Sequence, residues 1–282
     1  MVNFAHSSSP ELLRQGVALG KELTAEQARR AVVELNSGTI PARANSPVRI
    51  PKSDWHSPTP VEMRILSDAS ANSDVSRIEI IPPNSEVLSL SAAAFDRVTW
   101  SDSDKDLAAA VDGPSYTRLV AAMLQSARRL GKVLGDPLVR ISAPDLTTVT
   151  MGQGMFIGLH VDEWFQGRHA PRGSRPNRMV FNLGREPRYF LFINIPVEAM
   201  MDHTPGPSGN HGTTIGQRFM ESHPDYPVCR IRILPGEAYI APTENLVHDA
   251  SSAGTTQVDI AGHLLGQFTF AAMPESSSAR GQ

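Results

Sequence analysis

The chain has little cysteine, few aromatic residues and almost no excess charge, and each shortage excludes a class of protein. Cys229 is the single cysteine among 282 residues, so neither an internal disulfide nor a cysteine-based zinc site can form. Aromatic residues make up 6% of the chain and the formal net charge is −3. Because proteins that bind single-stranded nucleic acids need a basic surface with stacking aromatic residues, no nucleic-acid partner is expected.

Long hydrophobic runs are also missing. No stretch of 18 apolar residues occurs, so the sequence predicts no transmembrane helix and no membrane partner. The first residues, MVNFAHSSSPELLRQG, lack a basic start followed by an apolar stretch, which is the pattern of a secretory signal. The expectation from these features is a cytoplasmic protein; its oligomeric state is left open.

What the chain does contain is typical of a β-rich globular protein. Hydrophobic residues make up 40% of the sequence, which is enough for a sizeable core. The 22 prolines and 21 glycines indicate many turns and short elements rather than a helix bundle. The length fits one large domain, or one domain with helical additions.

The first part of the chain, residues 1–136, is predicted to be a helical and irregular leader that packs on a core. A capping-box pattern at Thr24 predicts the first helix, and an apolar stripe with spacings of three and four predicts the second, which Gly135 is placed to end. The predicted elements are a helix over Ala28–Leu35, strands over Arg77–Ile81 and Val87–Leu90, and a helix over Tyr116–Leu134.

The second part, residues 137–271, is predicted to be the β core, and residues 272–282 a flexible tail. Its short apolar runs are mostly bounded by Gly, Pro, Asn or Asp, which favours an antiparallel sandwich or jelly roll with helices on one face. The predicted strands are Leu138–Ser142, Thr147–Met151, Met155–Val161, Arg178–Leu183, Arg188–Pro196, Arg230–Leu234, Glu237–Ala241, Gln257–Ile260 and Gln267–Phe270.

A His-x-Asp motif at the end of a predicted strand is the main functional signal. Residues two apart on a strand point to the same side, so His160 and Asp162 should project together. His248 follows a Pro-Gly-Glu turn and a predicted strand, and could supply a third ligand. Two histidines and one carboxylate leave three positions open on an octahedral iron. A lone His-x-Asp is more commonly a buried histidine bonded to its neighbour, and that alternative stays open.

The order of a strand, His160-x-Asp162, further strands, the segment 235–239 (PGEAY) and His248 resembles the Fe(II)/2-oxoglutarate-dependent oxygenase superfamily. The resemblance implies a double-stranded β-helix, iron(II), 2-oxoglutarate as co-substrate, O₂, and a small-molecule substrate. The segment 241–249 is similar to small bacterial members that act on amino acids, N-acyl amino acids and natural-product scaffolds. Relatives that transfer halogen have glycine or alanine in place of the aspartate, so Asp162 implies hydroxylation; desaturation, cyclisation and epimerisation share these ligands.

One departure from the family pattern concerns the tail carboxylate of 2-oxoglutarate. Many members carry Arg-x-Ser about ten residues after the distal histidine, where this chain has Val-Asp-Ile at 258–260. Arg188 opens a strand on which Asn194 shares its face, and a guanidinium can grip a carboxylate with two hydrogen bonds. Arg178 is the reserve candidate and Asn182 a further donor. The alternatives are a surface charge for Arg188 and sheet or turn roles for the asparagines.

The sequence indicates the substrate-binding residues less clearly than the candidate metal ligands. Trp164 and Phe165 follow the motif closely and could line the pocket, although packing in the core is an equal alternative. His263 on a late strand could also face the pocket, but a structural histidine is the favoured interpretation. A cupin-like metabolite-binding or isomerase jelly roll without oxygenase activity is the competing function. Cupins usually present a denser histidine cluster than this chain offers. A third possibility is a scaffold in which the three residues never meet.

Overall fold

The computed structural model describes residues 18–19, 33–62, 77–100, 110–111, 113–148, 150–151, 155–162, 175–204 and 212–269. Eighteen elements lie within these ranges. In chain order they are β1 (Ala18–Leu19), β2 (Val33–Leu35), β3 (Thr39–Pro41), β4 (Arg49–Pro51), β5 (Arg77–Ile81), α1 (Ser85–Ala94), α2 (Pro114–Arg128), β6 (Gly131–Ser142), β7 (Thr150–Met151), β8 (Met155–Phe156), β9 (Asn177–Asn182), β10 (Arg188–Pro196), α3 (Val197–Asp202), α4 (Gly212–Ser222), β11 (Val228–Ile233), β12 (Ala238–Ala241), β13 (Leu246–Ser251) and β14 (Asp259–Phe268).

Two sheets form the core. The large sheet has the order β1-β5-β12-β9-β14-β6 and the small sheet the order β13-β10-β11-β2. From β9 onward the chain crosses repeatedly between the sheets, with β9, β12 and β14 in the large one and β10, β11 and β13 in the small one. All these pairings are antiparallel. This winding is the double-stranded β-helix form of the jelly roll, so the predicted fold is confirmed.

Strand alternation separates an interior from two outer faces. On β9, Val180 points between the sheets, whereas Met179 and Phe181 pack outward beneath α1 and α2. On β13, Leu246 points inward and Val247 packs outward against α3 and α4. The sheets therefore enclose one space, and the helices cover the outside of both.

The structure corrects the predicted strand over Val87–Leu90, which is part of helix α1. Asn84 caps this helix, because its side-chain oxygen accepts hydrogen bonds from the backbone N–H groups of Glu86 (3.0 Å) and Val87 (3.2 Å). Val87 and Leu90 then pack on the outer face of the large sheet.

Other boundaries also differ from the sequence prediction. The helix expected to reach Leu134 ends at Arg128, and Gly135 lies inside β6 instead of ending a helix. Residues 33–35, expected to be helical, form β2, while residues 28–32 lie outside the described ranges. The two predicted strands over 257–260 and 267–270 correspond to the single strand β14.

The predictions for β5 and β10 are confirmed residue for residue. The leader also supplies sheet strands: β5 pairs with β12 and β2 pairs with β11.

None of the helices in the described part of the chain combines the length and apolar character needed to span a bilayer.

Candidate metal centre

His160, Asp162 and His248 come together inside the double-stranded β-helix. The potential ligand atoms of the three side chains all lie within 4.8 Å of one another, an arrangement that could hold a metal ion. Nε2 of His160 lies 3.9 Å from Oδ1 of Asp162, and Nε2 of His248 lies 3.7 Å from Oδ2. The reading in which the triad never meets in space is therefore wrong.

Backbone pairing between the two histidines fixes this convergence. His160 and His248 form an isolated antiparallel bridge, with N–H to carbonyl distances of 3.0 and 2.8 Å in the two directions. Their ring centroids lie 4.8 Å apart. The segment before His160 bends at Gly158, whose φ of +66° and close approach to the Arg49 carbonyl leave no room for a Cβ.

Each histidine presents the same nitrogen to the centre. Nδ1 of His160 lies 2.8 Å from the Gly158 carbonyl, and Nδ1 of His248 lies 3.0 Å from the Leu246 carbonyl. A carbonyl oxygen can only accept, so Nδ1 carries the proton and the lone pair of a neutral ring is on Nε2. A hydrogen bond from one ring nitrogen to a backbone carbonyl is a common way in which proteins orient metal-binding histidines.

The charge states of the triad also suit a metal. Burial lowers the pKa of His248 to about 4 and also lowers that of His160, so both rings are neutral at pH 7. Burial alone would raise the pKa of Asp162, but the charges of His248 and His160, which are protonated only in acid, and the charge of Arg178 outweigh it and hold this pKa at about 2, so the carboxylate is ionised at pH 7. Neutral imidazole and ionised carboxylate are the forms that bind divalent metals.

A basic and aromatic interior surrounds the triad. Nη2 of Arg178 on β9 lies 2.8 Å from Oδ2 of Asp162. Phe190 on β10 stacks near Tyr239 on β12, with ring centroids 4.3 Å apart, and its ring lies 5.9 Å from that of His248. The buried ring of Phe190 therefore shields the distal histidine from water on the β10 side.

Arg188 and Asn194, the first-choice co-substrate residues, both lie on the inner face of β10. Arg188 is 3% exposed and its Nε lies 3.1 Å from Oδ1 of Asp259, while Nη1 has no hydrogen-bond partner among the described residues. Asn194 is 1% exposed, and in the described part of the chain neither the nitrogen nor the oxygen of its buried amide has a hydrogen-bond partner. Buried polar atoms of this kind are costly unless a ligand or water satisfies them.

Asn182 behaves differently. Its amide nitrogen donates to the carbonyls of Glu186 (3.0 Å) and Ile233 (2.9 Å), and its oxygen accepts from the N–H of Gly184 (2.9 Å). These bonds lock the turn between β9 and β10, which favours the structural alternative for this residue.

Of the predicted substrate residues, His263 lies on β14 opposite Val180, an interior position. Burial lowers its pKa far below the usual value, and the charges of Arg178, Arg188 and Arg140 lower it further. Trp164 and Phe165 lie outside the described residues.

Sequence reasoning missed two interior residues. In the sequence, Tyr239 appears only as part of the segment 235–239, and Arg140 only as part of a predicted strand. The alternation of Val139, Arg140 and Ile141 was a visible signal, because the flanking residues pack outward and leave Arg140 facing inward.

Comparison with known proteins gave structural neighbours only. No protein-family model and no curated sequence matches the chain. Among solved structures, the chain is similar to the Kdo hydroxylase KdoO, a non-heme Fe(II) alphaketoglutarate-dependent dioxygenase, in complex with succinate and Fe(III): 12% identity, TM-score 0.35, covering 68% of this chain and 80% of that one. The complexes of KdoO with cobalt(II) and with alphaketoglutarate and Fe(III) match with 13% identity and the same TM-score and coverage.

Proposed function

We propose that the chain is an iron(II)- and 2-oxoglutarate-dependent dioxygenase that hydroxylates an unactivated C–H bond of a small molecule, such as an amino-acid derivative or a natural-product intermediate. One observation carries the proposal: His160, Asp162 and His248 converge with their potential ligand atoms within 4.8 Å of one another, and both histidines have Nδ1 bonded to a backbone carbonyl, which leaves Nε2 for a metal. Two histidines and one carboxylate are the donor set of non-haem iron(II) oxygenases.

The residues that would hold the metal are thus those three. Bound iron would supply the activation of O₂ and of the C–H bond, with the keto acid decarboxylated to succinate and CO₂. The protein has to bind and orient the reactants and exclude water from them. Neutral histidines at the observed burial are ready for the metal without loss of a proton.

The residues proposed to hold 2-oxoglutarate are on the inner faces of two strands. Arg188 offers a buried Nη1 without a partner, and the Asn194 amide offers both a donor and an acceptor. Arg178 lies beside Asp162 and can add positive charge next to a bound dianion. His263 is a neutral interior side chain proposed to contact the substrate, together with Trp164 and Phe165.

Anaerobic titration tests the proposal. Iron(II) and then 2-oxoglutarate are added to the purified protein, and the visible absorption is recorded. We expect a weak metal-to-ligand charge-transfer band that is absent with either component alone. His160→Ala, Asp162→Ala and His248→Ala should each remove the band and the formation of succinate in air.

A matched control is His223→Ala. The His223 ring stacks on Phe219 on the outer side of the small sheet, with centroids 4.7 Å apart, so its removal should leave the band unchanged. Absence of the band in the wild-type protein, or its survival in all three triad variants, would refute the proposal. Metabolite binding without the band would instead support the cupin-like alternative.

A further inference from the structure

The interior of the double-stranded β-helix contains an arginine that no described carboxylate neutralises. Arg140 lies on β6, where Val139 and Ile141 pack outward under α2, so its side chain belongs to the inner face. In the sheet register it stands beside Ala261, which is also an interior residue. No described Asp or Glu lies within ion-pair distance of its guanidinium, although it is half-buried.

The other two arginines on the inner strand faces are each paired with a carboxylate. Arg178 lies 2.8 Å from Asp162, and Arg188 lies 3.1 Å from Asp259. Arg140 lies close enough to the Arg178–Asp162 pair for the charges of both residues to act on it. Burial, and next the charge of Arg178, lowers the pKa of Arg140, whereas the charge of Asp162 raises it. Of these three arginines, Arg140 is the one without a carboxylate within ion-pair distance in the described chain, and its charge is a surplus because arginine stays protonated in proteins.

Loading the site does not remove this surplus. Iron(II) adds two positive charges and 2-oxoglutarate adds two negative charges, so they cancel. One positive charge remains in a partly desolvated space, where an unpaired charge is costly.

We propose that the substrate carries a carboxylate and that Arg140 binds it. The inference rests on the proposed function and narrows its substrate class. A carboxylate is a single negative charge and matches the surplus, whereas a phosphate monoester carries about −1.5 to −2 and would overcompensate. The planar guanidinium can hold both carboxylate oxygens with parallel hydrogen bonds.

The position of Arg140 suits an entering substrate. Strand β6 is an edge of the large sheet and, among the described strands, pairs with β14 alone. Leu138, two residues earlier on the same face, is 43% exposed, so this edge of the interior is open to solvent along the described chain. Arg188 is 3% exposed and lies against Asp259, whose side chain is 4% exposed, which leaves Arg140 as the more accessible cation.

The test uses matched pairs of probes that differ only in charge. The wild-type protein is loaded with iron(II) and 2-oxoglutarate without O₂ and titrated with acetate and acetamide, benzoate and benzamide, and N-acetylated amino acids and their primary amides. Binding is measured by calorimetry and by the change in the charge-transfer band. We expect carboxylates to bind and amides to bind far more weakly or not at all.

Arg140→Gln should weaken carboxylate binding by about 10- to 100-fold, the range expected for loss of a charge-assisted hydrogen bond. Arg140→Lys should recover part of this loss. When no carboxylate probe is present, the affinity for 2-oxoglutarate should stay unchanged in both variants. Arg185→Gln is the control, because Arg185 is 49% exposed and pairs with Asp96 on the surface.

Three outcomes would overturn the inference: amides that bind as well as carboxylates, no carboxylate binding to the loaded wild-type protein, or loss of 2-oxoglutarate affinity in Arg140→Gln with carboxylate binding intact. The last would assign Arg140 to the co-substrate. Failure of the proposed function is distinguishable, because the wild-type protein would then show no charge-transfer band at all.

Discussion

The guanidinium of Arg178 lies 2.8 Å from the carboxylate of Asp162, and both side chains are 11% exposed. This ion pair links β9 in the large sheet to the segment that carries the first two ligands of the candidate centre. It fixes the orientation of the carboxylate before any metal arrives, and hydrogen-bonded partners of metal ligands commonly contribute to metal affinity in this way.

Arg178→Gln is therefore expected to weaken iron(II) binding. Loss of a partner that orients a ligand typically costs about 10- to 100-fold in metal affinity. Anaerobic titration of iron(II) against a competing chelator measures the change, and Arg178→Lys should recover part of it. Removing the positive charge of Arg178 would also favour bound iron(II), because a Coulomb repulsion between the two is lost. Tighter binding in Arg178→Gln would thus show that charge outweighs positioning.

Helix α4 packs so closely on β13 that a single methyl group should disturb the distal ligand. A Cβ on Gly216 would lie 2.5 Å from Cγ2 of Val247, the residue before His248. Alanine normally stabilises a helix by up to about 1 kcal/mol relative to glycine. At this position we expect the opposite sign, because overpacking typically costs about 1–3 kcal/mol. Urea unfolding of Gly216→Ala measures the free energy.

The double variant Gly216→Ala with Val247→Ala tests the cause. Shortening Val247 removes the clash, so the two changes should not be additive, and the double variant should be more stable than the sum of the single effects predicts. Iron(II) affinity should fall in Gly216→Ala and return in part in the double variant. Additive effects would mean that the contact with Val247 is not the source of the loss.

The sequence was sufficient to predict the fold class and the convergence of His160, Asp162 and His248, because most of the signals for them are local patterns. The alternation in β9 and β10 and the His-x-Asp spacing are visible in short windows. Strand β13, which holds His248, was not predicted: its outward side includes Asp249 and Ser251, and its inward side includes His248, so neither face reads as apolar. Only pairing with β10 and with the segment at His160 makes it a strand.

The ion pairs of the site could not be predicted in the same way. Asp259 and Arg188 are 71 positions apart, and nothing near either residue marks its partner. In the sequence, Asp259 stands out only because many members of the resembled family carry an arginine in this region. The pairing follows from the packing of β14 and β10 in opposite sheets, which no periodicity records.

The Arg188–Asp259 pair leads to a prediction about 2-oxoglutarate. Burial raises the pKa of Asp259 and the charge of Arg188 opposes this rise. Asp259→Asn leaves the guanidinium buried and unpaired, and breaking a buried pair in this way costs about 3–5 kcal/mol. If Arg188 binds the tail carboxylate as proposed, 2-oxoglutarate should replace the lost anion. Its addition should then raise the melting temperature of Asp259→Asn by more than that of the wild-type protein.

Arg188→Gln is the companion variant. It should lose most of the stabilisation by 2-oxoglutarate while still binding iron(II), since Arg188 contacts none of the three ligands in the ion pairs described. Equal melting shifts in the wild-type protein and in Asp259→Asn would place the tail carboxylate elsewhere and leave Arg188 a structural role.

Acid should destabilise the metal-free protein, and His263 should account for part of the effect. Burial first, and then the charges of Arg178, Arg188 and Arg140, hold the pKa of His263 far below its ordinary value in the folded state. In the unfolded chain the ring takes up a proton near its ordinary pKa of about 6.5. The unfolded state therefore binds more protons as the pH falls below this value. The resulting stability is fully present above about pH 6.5 and is lost as the pH falls toward the folded-state pKa.

His263→Gln removes this group and keeps a polar side chain of similar reach. With EDTA present to exclude metal, the free energy of unfolding is measured from pH 8 to pH 5 for the wild-type protein, His263→Gln and the outer-face control His223→Gln. Below pH 6.5 the slope for His263→Gln should be shallower than for the wild-type protein by up to about 1.4 kcal/mol per pH unit, the value for one proton. A slope equal to that of the wild-type protein would mean that the His263 ring is protonated as readily in the folded protein as in the unfolded chain.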